Sequence, residues 1–251
     1  MAVNNASNFL LYGFNGFPEF KNPVPKVVSQ SSSSTGNVDL YTVPAGKKVF
    51  IAQFFCWGRG TSVNCRLSIN SGGTYYLLGT NAVSTTIQYL LPTFCLALAG
   101  EKIAYNLSAA ATVNTRLSFW EFDDDTPIVR GALFTLANGD NTVYTCPAGK
   151  QAYPLSFHRD VGNNVGNTNT VNYWNGSGGT RAISFYYVPA GGSAATTNRT
   201  FTGSVSNNDG LLGINNSTTF PTLNAGDSFV INTDAATNTQ VAWINVVERT
   251  L

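Results

Sequence analysis

The chain repeats itself, and that repeat constrains the fold more than any other feature. Residues 36–55, GNVDLYTVPAGKKVFIAQFF, return as residues 139–158, GDNTVYTCPAGKQAYPLSFH. At one constant offset Tyr41, Thr42, Pro44, Ala45, Gly46, Lys47 and Phe54 recur as Tyr144, Thr145, Pro147, Ala148, Gly149, Lys150 and Phe157. Further on, Ser71-Gly72-Gly73-Thr74 is matched by Ser177-Gly178-Gly179-Thr180. Leu91-Pro92-Thr93, leading to Ala99-Gly100-Glu101, is matched by Phe220-Pro221-Thr222, leading to Ala225-Gly226-Asp227. Blocks in one order mean two copies of one domain, and the period is far too long for a solenoid. Duplication favours a building block or a double adhesive surface, because an enzyme usually assembles one cleft from unlike parts.

The 251 residues divide accordingly into an extended N-terminal arm (1–35), copy one (36–125) and copy two (126–251). Each copy, at about 100 residues, is large enough to bury its own core. A formal net charge of +1 and a pI near 7.6 leave no electrostatic footprint for nucleic acid or an anionic membrane. Charged residues make up only 11% of the chain, against roughly 25% in ordinary soluble domains. Asn, Ser, Thr and Gly supply the polarity instead, which suits extensive subunit packing or an exposed position on a virion or cell surface. No stretch approaches the ~18 consecutive apolar residues of a membrane helix. The opening MAVNNASNFLLYGF lacks the basic n-region of a secretory signal. A soluble protein made in a cytoplasm is expected.

Helical periodicity is nearly absent, whereas short runs of Val, Ile, Tyr, Phe and Thr alternate with Gly, Asn and Pro turns. In copy one these runs are Val38–Val43, Lys48–Trp57, Val63–Ile69, Thr74–Leu78, Thr85–Leu90, Phe94–Ala97, Lys102–Leu107 and Asn114–Phe122. Eight short strands in so few residues indicate an all-β fold of two tandem jelly-roll-like β-sandwich domains. The repeated Pro-Ala-Gly is a structural turn in this reading. Pro44 and Pro147 fix φ, and Gly46 and Gly149 supply the positive φ that such turns require.

Copy two is longer than copy one between the Gly-Gly-Thr and Pro-Thr blocks, which places an inserted loop within 187–212. Its apolar residues Phe201, Val205, Leu211 and Leu212 suit an ordered contact loop or an extra hairpin. The arm carries Phe9, Tyr12, Phe14, Phe17 and Phe20, and prolines at 18, 23 and 25 exclude a helix. Five aromatics in an extended segment require a surface to dock on. That surface is either the arm's own domain or a neighbouring subunit. Asp123-Asp124-Asp125-Thr126-Pro127 reads as a short charged linker. Cys56 and Cys65 flank an expected hairpin turn, CWGRGTSVNC, where they face each other either as buried thiols or as a disulfide. Cys95 and Cys146 have no obvious partner.

Catalytic chemistry finds little support. His158 is the one histidine, replaces Phe55 in the repeat, and has no GxSxG elbow to serve. No cysteine pair has metal-binding spacing, and three adjacent aspartates lack the alternating ligands of a calcium loop. Glu101 and Asp227 occupy equivalent corners and so read as turn residues rather than a glycosidase pair. The Gly-rich segments have no following helix or P-loop lysine. Trp57, Trp120, Trp174 and Trp243 read as strand and core residues, with a sugar platform as the alternative. No catalytic residue, cofactor or metal is expected.

The segments VDLYTVPAGKKVFIAQFF and TVYTCPAGKQAYPLSF, with LALAGEKIAYN and LNAGDSFVIN downstream, resemble structural proteins of tailed bacteriophages. The resemblance covers roughly residues 36–122 and 139–247 and is to small jelly-roll domains of virion decoration, head-fibre and tail-associated proteins. It implies a non-enzymatic capsid decoration or cement protein that bridges capsid subunits. It also implies a homotrimer or related ring, with the major capsid protein or another virion protein as partner. The alternative it leaves open is a tail or fibre component, an adaptor or a module that binds a host surface glycan.

Overall fold

The chain is described here from a computed structural model at residues 21–59, 63–83, 88–131, 134–135, 137, 139–160, 181–192, 199–205, 211–213, 222–233 and 241–251. Those residues form strands and turns, with no helix among them. The first copy contains β1 (Val24–Ser32), β2 (Gly36–Thr42), β3 (Lys47–Arg59), β4 (Val63–Ser71), β5 (Thr74–Val83), β6 (Gln88–Ala97), β7 (Lys102–Leu107) and β8 (Thr112–Asp123). One sheet has the order β1-β8-β3-β6 and the other β2-β7-β4-β5, with every pair antiparallel. The chain crosses between sheets at every connection except the β4–β5 hairpin, which makes a jelly roll.

Alternation builds the core. On β8, Val113, Thr115, Leu117 and Phe119 point between the sheets and are buried. On β3 the phase changes at Ala52, where the register slips between Ile51 and Gln53. Ile51 and Phe54 therefore both reach the core although they are three apart.

The second copy contains β9 (Ile128–Arg130), β10 (Phe134–Thr135), β11 (Gly139–Thr145), β12 (Lys150–Asp160), β13 (Arg181–Val188), β14 (Arg199–Val205), β15 (Leu211–Gly213), β16 (Leu223–Asn224), β17 (Ser228–Thr233) and β18 (Val241–Thr250). Its sheets run β10-β18-β12-β15 and β11-β17-β13-β14, with β9 also on β18 and β16 also on β12. It matches the first copy strand for strand. Val49 faces Ala97 and Glu121, as Ala152 faces Leu223 and Glu248. The slip between Ile51 and Gln53 recurs between Pro154 and Ser156, and that between Asp39 and Tyr41 recurs between Thr142 and Tyr144. Where the first copy has the long strands β1 and β6, the second has the short pairs β9–β10 and β15–β16. Gly131 sits between β9 and β10, where an added Cβ would lie 2.9 Å from the Val143 carbonyl. That close approach requires glycine.

The Pro-Ala-Gly corners are duplicated bond for bond. Gly46 and Gly149 both have φ of 72°. Lys47 N donates to Pro44 O (3.2 Å) and Lys150 N to Pro147 O (3.3 Å). Each corner is tied to the Ala-Gly-acid corner. Val43 N donates to Glu101 O (2.9 Å) and Cys146 N to Asp227 O (2.8 Å). Gly100 N and Gly226 N return bonds to Val43 O and Cys146 O, both 2.9 Å. Nearby, Tyr41 donates to Glu121 and Tyr144 to Glu248 (3.0 Å). Burial pushes the Glu121 carboxyl up, but hydrogen bonds from Lys26 and Tyr41 outweigh it and leave it below the usual glutamate value.

Four expectations change. Residues 24–32, assigned to the arm, form β1, paired along its length with β8. Alternation explains why: Val28 packs on the core and Lys26 bonds Glu121 at 2.8 Å. Thr85–Leu90 and Phe94–Ala97 are not separate strands, because β6 runs through Pro92, which an edge strand tolerates. Cys56 and Cys65 do not flank a hairpin. β3 and β4 lie in opposite sheets, and the two free thiols are buried in the core between them. Finally, the β4–β5 turn at Ser71–Thr74 corresponds by register to the turn after Val188, since Asn70 faces Lys102 as Val188 faces Ser228. Residues 177–180 lie outside the described residues and precede β13. Most of copy two's extra length thus falls between β12 and β13, at 161–180, also outside the described residues. The segment 187–212 instead spans the end of β13, β14 and most of β15.

Two outcomes follow from the duplicated corners and the Glu121 cluster. Because both glycines are left-handed with open space around them, G46A and G149A are each expected to cost about 1–2 kcal/mol in urea unfolding, and by similar amounts. Because folded Glu121 is depressed, its contribution is complete above the unfolded glutamate value near 4.3 and is lost as pH falls through the folded value. Unfolding measured from about pH 6 downwards is therefore expected to show E121Q less stable than wild type at the upper end, with the gap closing as acid protonates Glu121.

Candidate functional site

The outer face of the β1-β8-β3-β6 sheet is aromatic along its length, and its two ends meet different fates. At one end Phe50, Leu96, Trp120 and Phe122 are buried against Ile128 and Val247 of copy two, with Tyr153 beside them. Aromatics facing both ways from β3 and β8 are the mark of a sheet covered on both sides.

Copy two also reaches into the first sandwich. Trp243, on β18, is fully buried within the first copy's core cluster and meets Tyr76 of β5 edge-on, with ring centroids 6.2 Å apart. Cys95 of β6 feels the same intrusion. Burial pushes its thiol up to about 12, against the opposing pull of Arg130, Trp243 and Asn245, all from copy two. β5 and β6 are the edge strands of their two sheets, so copy two plugs the open side of the first sandwich.

Arg130 clamps the join. Its guanidinium makes a paired contact with Glu101, Nη2 to Oε1 at 2.6 Å and Nη1 to Oε2 at 2.8 Å, and also reaches Leu96 O at 3.2 Å. Both side chains are almost wholly buried, at 6% and 7% exposure. Glu101 meanwhile accepts from Leu98 N at 2.8 Å, as Asp227 accepts from Asn224 N at 2.7 Å. The turn-residue reading of this pair therefore holds, with a second duty in copy one. Asp227 accepts with its other oxygen from Ala190 N (2.9 Å).

Among the described residues the other end of the face is open. Gln53, Phe55, Trp57, Arg116 and Ser118 line a groove of about 350 Å³. Phe55 and Trp57 are half-buried, with ring centroids 5.1 Å apart and planes at 48°. Gln53 lies opposite Ser118 and Phe55 opposite Arg116 across β3 and β8. On β1, Val27 lies opposite Ser118 and is 53% exposed. The patch offers flat apolar area, a guanidinium, an amide and a hydroxyl. That chemistry suits adhesion.

The residues singled out from sequence are distributed elsewhere. Phe9, Tyr12, Phe14, Phe17 and Phe20 lie outside the described residues. Phe201 and Val205 stand on β14, opposite Phe185 and Arg181, and Leu211 and Leu212 on β15, opposite His158 and Phe157. These positions are sheet edge rather than free loop. Two of the three linker aspartates pair with lysines, Asp123 with Lys47 at 2.6 Å and Asp125 with Lys21. Among the described residues no group of three metal-ligating side chains forms. Sequence reasoning missed Arg130 and the groove, and it read Trp243 as a core residue without showing that the core it fills is the other copy's. The available signal was the clustering of Phe50, Phe55, Trp57, Trp120 and Phe122 on two strands, which is too many aromatics for one core.

No family model and no curated protein matches the chain. Among solved structures it is similar to the STIV MCP, at 10% identity over 90% of this chain and 97% of that one, with a TM-score of 0.28. It is similar to the major capsid protein P2 from bacteriophage PM2, at 10% identity over 91% and 98%, with a TM-score of 0.29. It is similar also to the N-terminal CBM22-1-CBM22-2 tandem domain of Paenibacillus barcinonensis Xyn10C, at 9% identity over 93% and 95%, with a TM-score of 0.26. Likenesses this low carry no argument about function.

The join sets a stability expectation. R130A leaves the Glu101 carboxylate buried without its cation and is expected to cost about 3–5 kcal/mol. The double variant R130M/E101Q should lose less than R130M alone, since it removes the stranded charge. Chemical denaturation of the three variants checks both statements.

Proposed function

We propose that the chain is a non-enzymatic virion structural protein of a tailed bacteriophage, a decoration or cement protein that bridges neighbouring capsid subunits. One observation carries the reading. The two jelly rolls are joined by a buried plug and ion pair, while among the described residues one end of the first copy's aromatic sheet face is left open to a macromolecular contact. The buried acids Glu101, Glu121, Asp227 and Glu248 are committed to corners and clamps rather than gathered in a cleft. The low charge and the sequence resemblance to phage structural proteins support the same reading. The protein self-associates, as a homotrimer or related ring, and is made in the host cytoplasm before joining the virion. The arm aromatics Phe9, Tyr12, Phe14, Phe17 and Phe20 dock across a subunit boundary as buried anchors.

A second reading has its own observation. Phe55 and Trp57 beside Gln53, Arg116 and Ser118 form the kind of ring-and-donor surface that stacks on a sugar. This fits a tail or fibre module that binds a host surface glycan.

Purified protein mixed with empty capsids, cell envelopes and a glycan panel separates the two. Capsid binding is expected, and deletion of residues 1–20 should leave both sandwiches folded while weakening that binding about tenfold or more. Binding to envelopes or glycans without capsid binding would overturn the decoration reading. Unfolding of the truncated protein would show that the arm belongs to the first domain's core.

A further inference from the structure

The residues of the open groove occur together once in the chain. By strand register Gln53, Phe55, Trp57, Arg116 and Ser118 occupy the places of Ser156, His158, Asp160, Trp243 and Asn245 in copy two. Trp243 and Asn245 are fully buried, so copy two has a core ring where copy one has the exposed guanidinium of Arg116. The shared fold therefore requires neither Arg116 nor the ring pair beside it. The sheet around Arg116 is also short of acid. β1, β3 and β6 contain no Asp or Glu, and the two acids of β8, Glu121 and Asp123, already pair with Lys26 and Lys47. Among the described residues Arg116 has no counter-ion.

We infer that this groove binds an acidic saccharide, one that contains a uronate, with Arg116 taking the carboxylate. The inference deepens the sugar-stacking reading given above and rests on it. Phe55 and Trp57, with centroids 5.1 Å apart and planes at 48°, offer ring faces to the C–H face of a pyranose. Gln53 and Ser118, opposite each other across β3 and β8, supply an amide and a hydroxyl for its hydroxyl groups. The groove's volume of about 350 Å³ lies at the small end of ligand clefts, ~300–1,000 Å³. That size fits a short stretch of sugar rather than a folded domain. Charge selects the acid. Arginine presents a planar fork that meets a carboxylate with two parallel hydrogen bonds, so one fork neutralises one carboxylate. A phosphate fits less well. Phosphate sites recruit backbone N–H groups at helix N-termini or nests, whereas β3 and β8 are paired through their own backbones along the groove. Of the lining residues Arg116 alone is charged.

Calorimetric titration of the full-length chain tests this with two probes: a glucuronate-containing oligosaccharide, and the same oligosaccharide with its carboxyls reduced to neutral alcohols. The acid form is expected to bind at one site per chain and at least about tenfold more tightly than the reduced form, the scale of one charge-assisted pair. R116Q should abolish that preference and leave the affinity for the reduced form unchanged. F55A/W57A should lose both, with circular dichroism and thermal unfolding checking that each variant is folded. Equal affinity for the two forms would overturn the inference and leave a neutral sugar platform standing. Binding of neither form would overturn the platform as well. A preference for the acid that survives R116Q would place the site elsewhere, and tighter binding of a sugar phosphate or a glutamate-rich peptide would make the ligand a different one. Self-association of the chain that F55A/W57A abolishes would also overturn the inference, since a second copy would then fill the groove. Failure to bind capsids bears on the decoration reading alone and leaves this one standing.

Discussion

The side of the first sandwich closed by Trp243 is the constraint on which the rest of the structure depends. A jelly roll built from two four-stranded sheets is open where its edge strands end, and water entering there would reach Cys95, Leu78 and Tyr76. Trp243 fills that opening from the other copy, and its complete burial makes it worth several kcal/mol, about the scale of large-to-small core losses. The rest of the interface serves to hold the plug in register. Phe50, Trp120 and Phe122 pack against Ile128 and Val247, and Arg130 pins β9 to the Glu101 corner. One ion pair buried at this depth contributes less to net stability than to fixing a single relative placement of the two copies.

Each sandwich is in turn organised by its paired corners. The Pro-Ala-Gly turn and the Ala-Gly-acid turn exchange backbone bonds between neighbouring strands, so one corner cannot move without the other. Tyr41–Glu121 and Tyr144–Glu248 tie the two sheets together near the same end. Their cations differ in origin. Lys26 comes from β1 in the first copy, whereas Lys150 comes from β12 in the second. The first copy thus recruits the chain's N-terminal part to finish a cluster that the second completes within its own strand.

The join also explains why identical folds end with different surfaces. Equivalent positions carry Arg116 in one copy and Trp243 in the other, and only the second is buried. The internal contact takes in the β5–β6 edge of copy one, the Phe50–Trp120–Phe122 end of its outer face, and the Trp243 and Val247 positions of β18.

The sequence by itself determined the duplication, the all-β class and the turn chemistry. Those depend on local rules: period-two alternation, proline's fixed φ, and glycine's access to positive φ at Gly46 and Gly149. Even the role of Glu101 and Asp227 was legible, because a repeated acid at a repeated corner acts within its own turn. Tertiary structure alone decided where the first strand begins, since β1 exists by pairing with β8 some ninety residues away. It also decided that Cys56 and Cys65 meet across two sheets rather than across a hairpin, and that the second copy's extra length falls mainly before β13. Above all it decided which aromatics are core, which are join and which are open face. Phe54, Phe50 and Phe55 lie within six positions of one strand and look alike in sequence. A single β-bulge and the placement of the second copy assign them to three different environments.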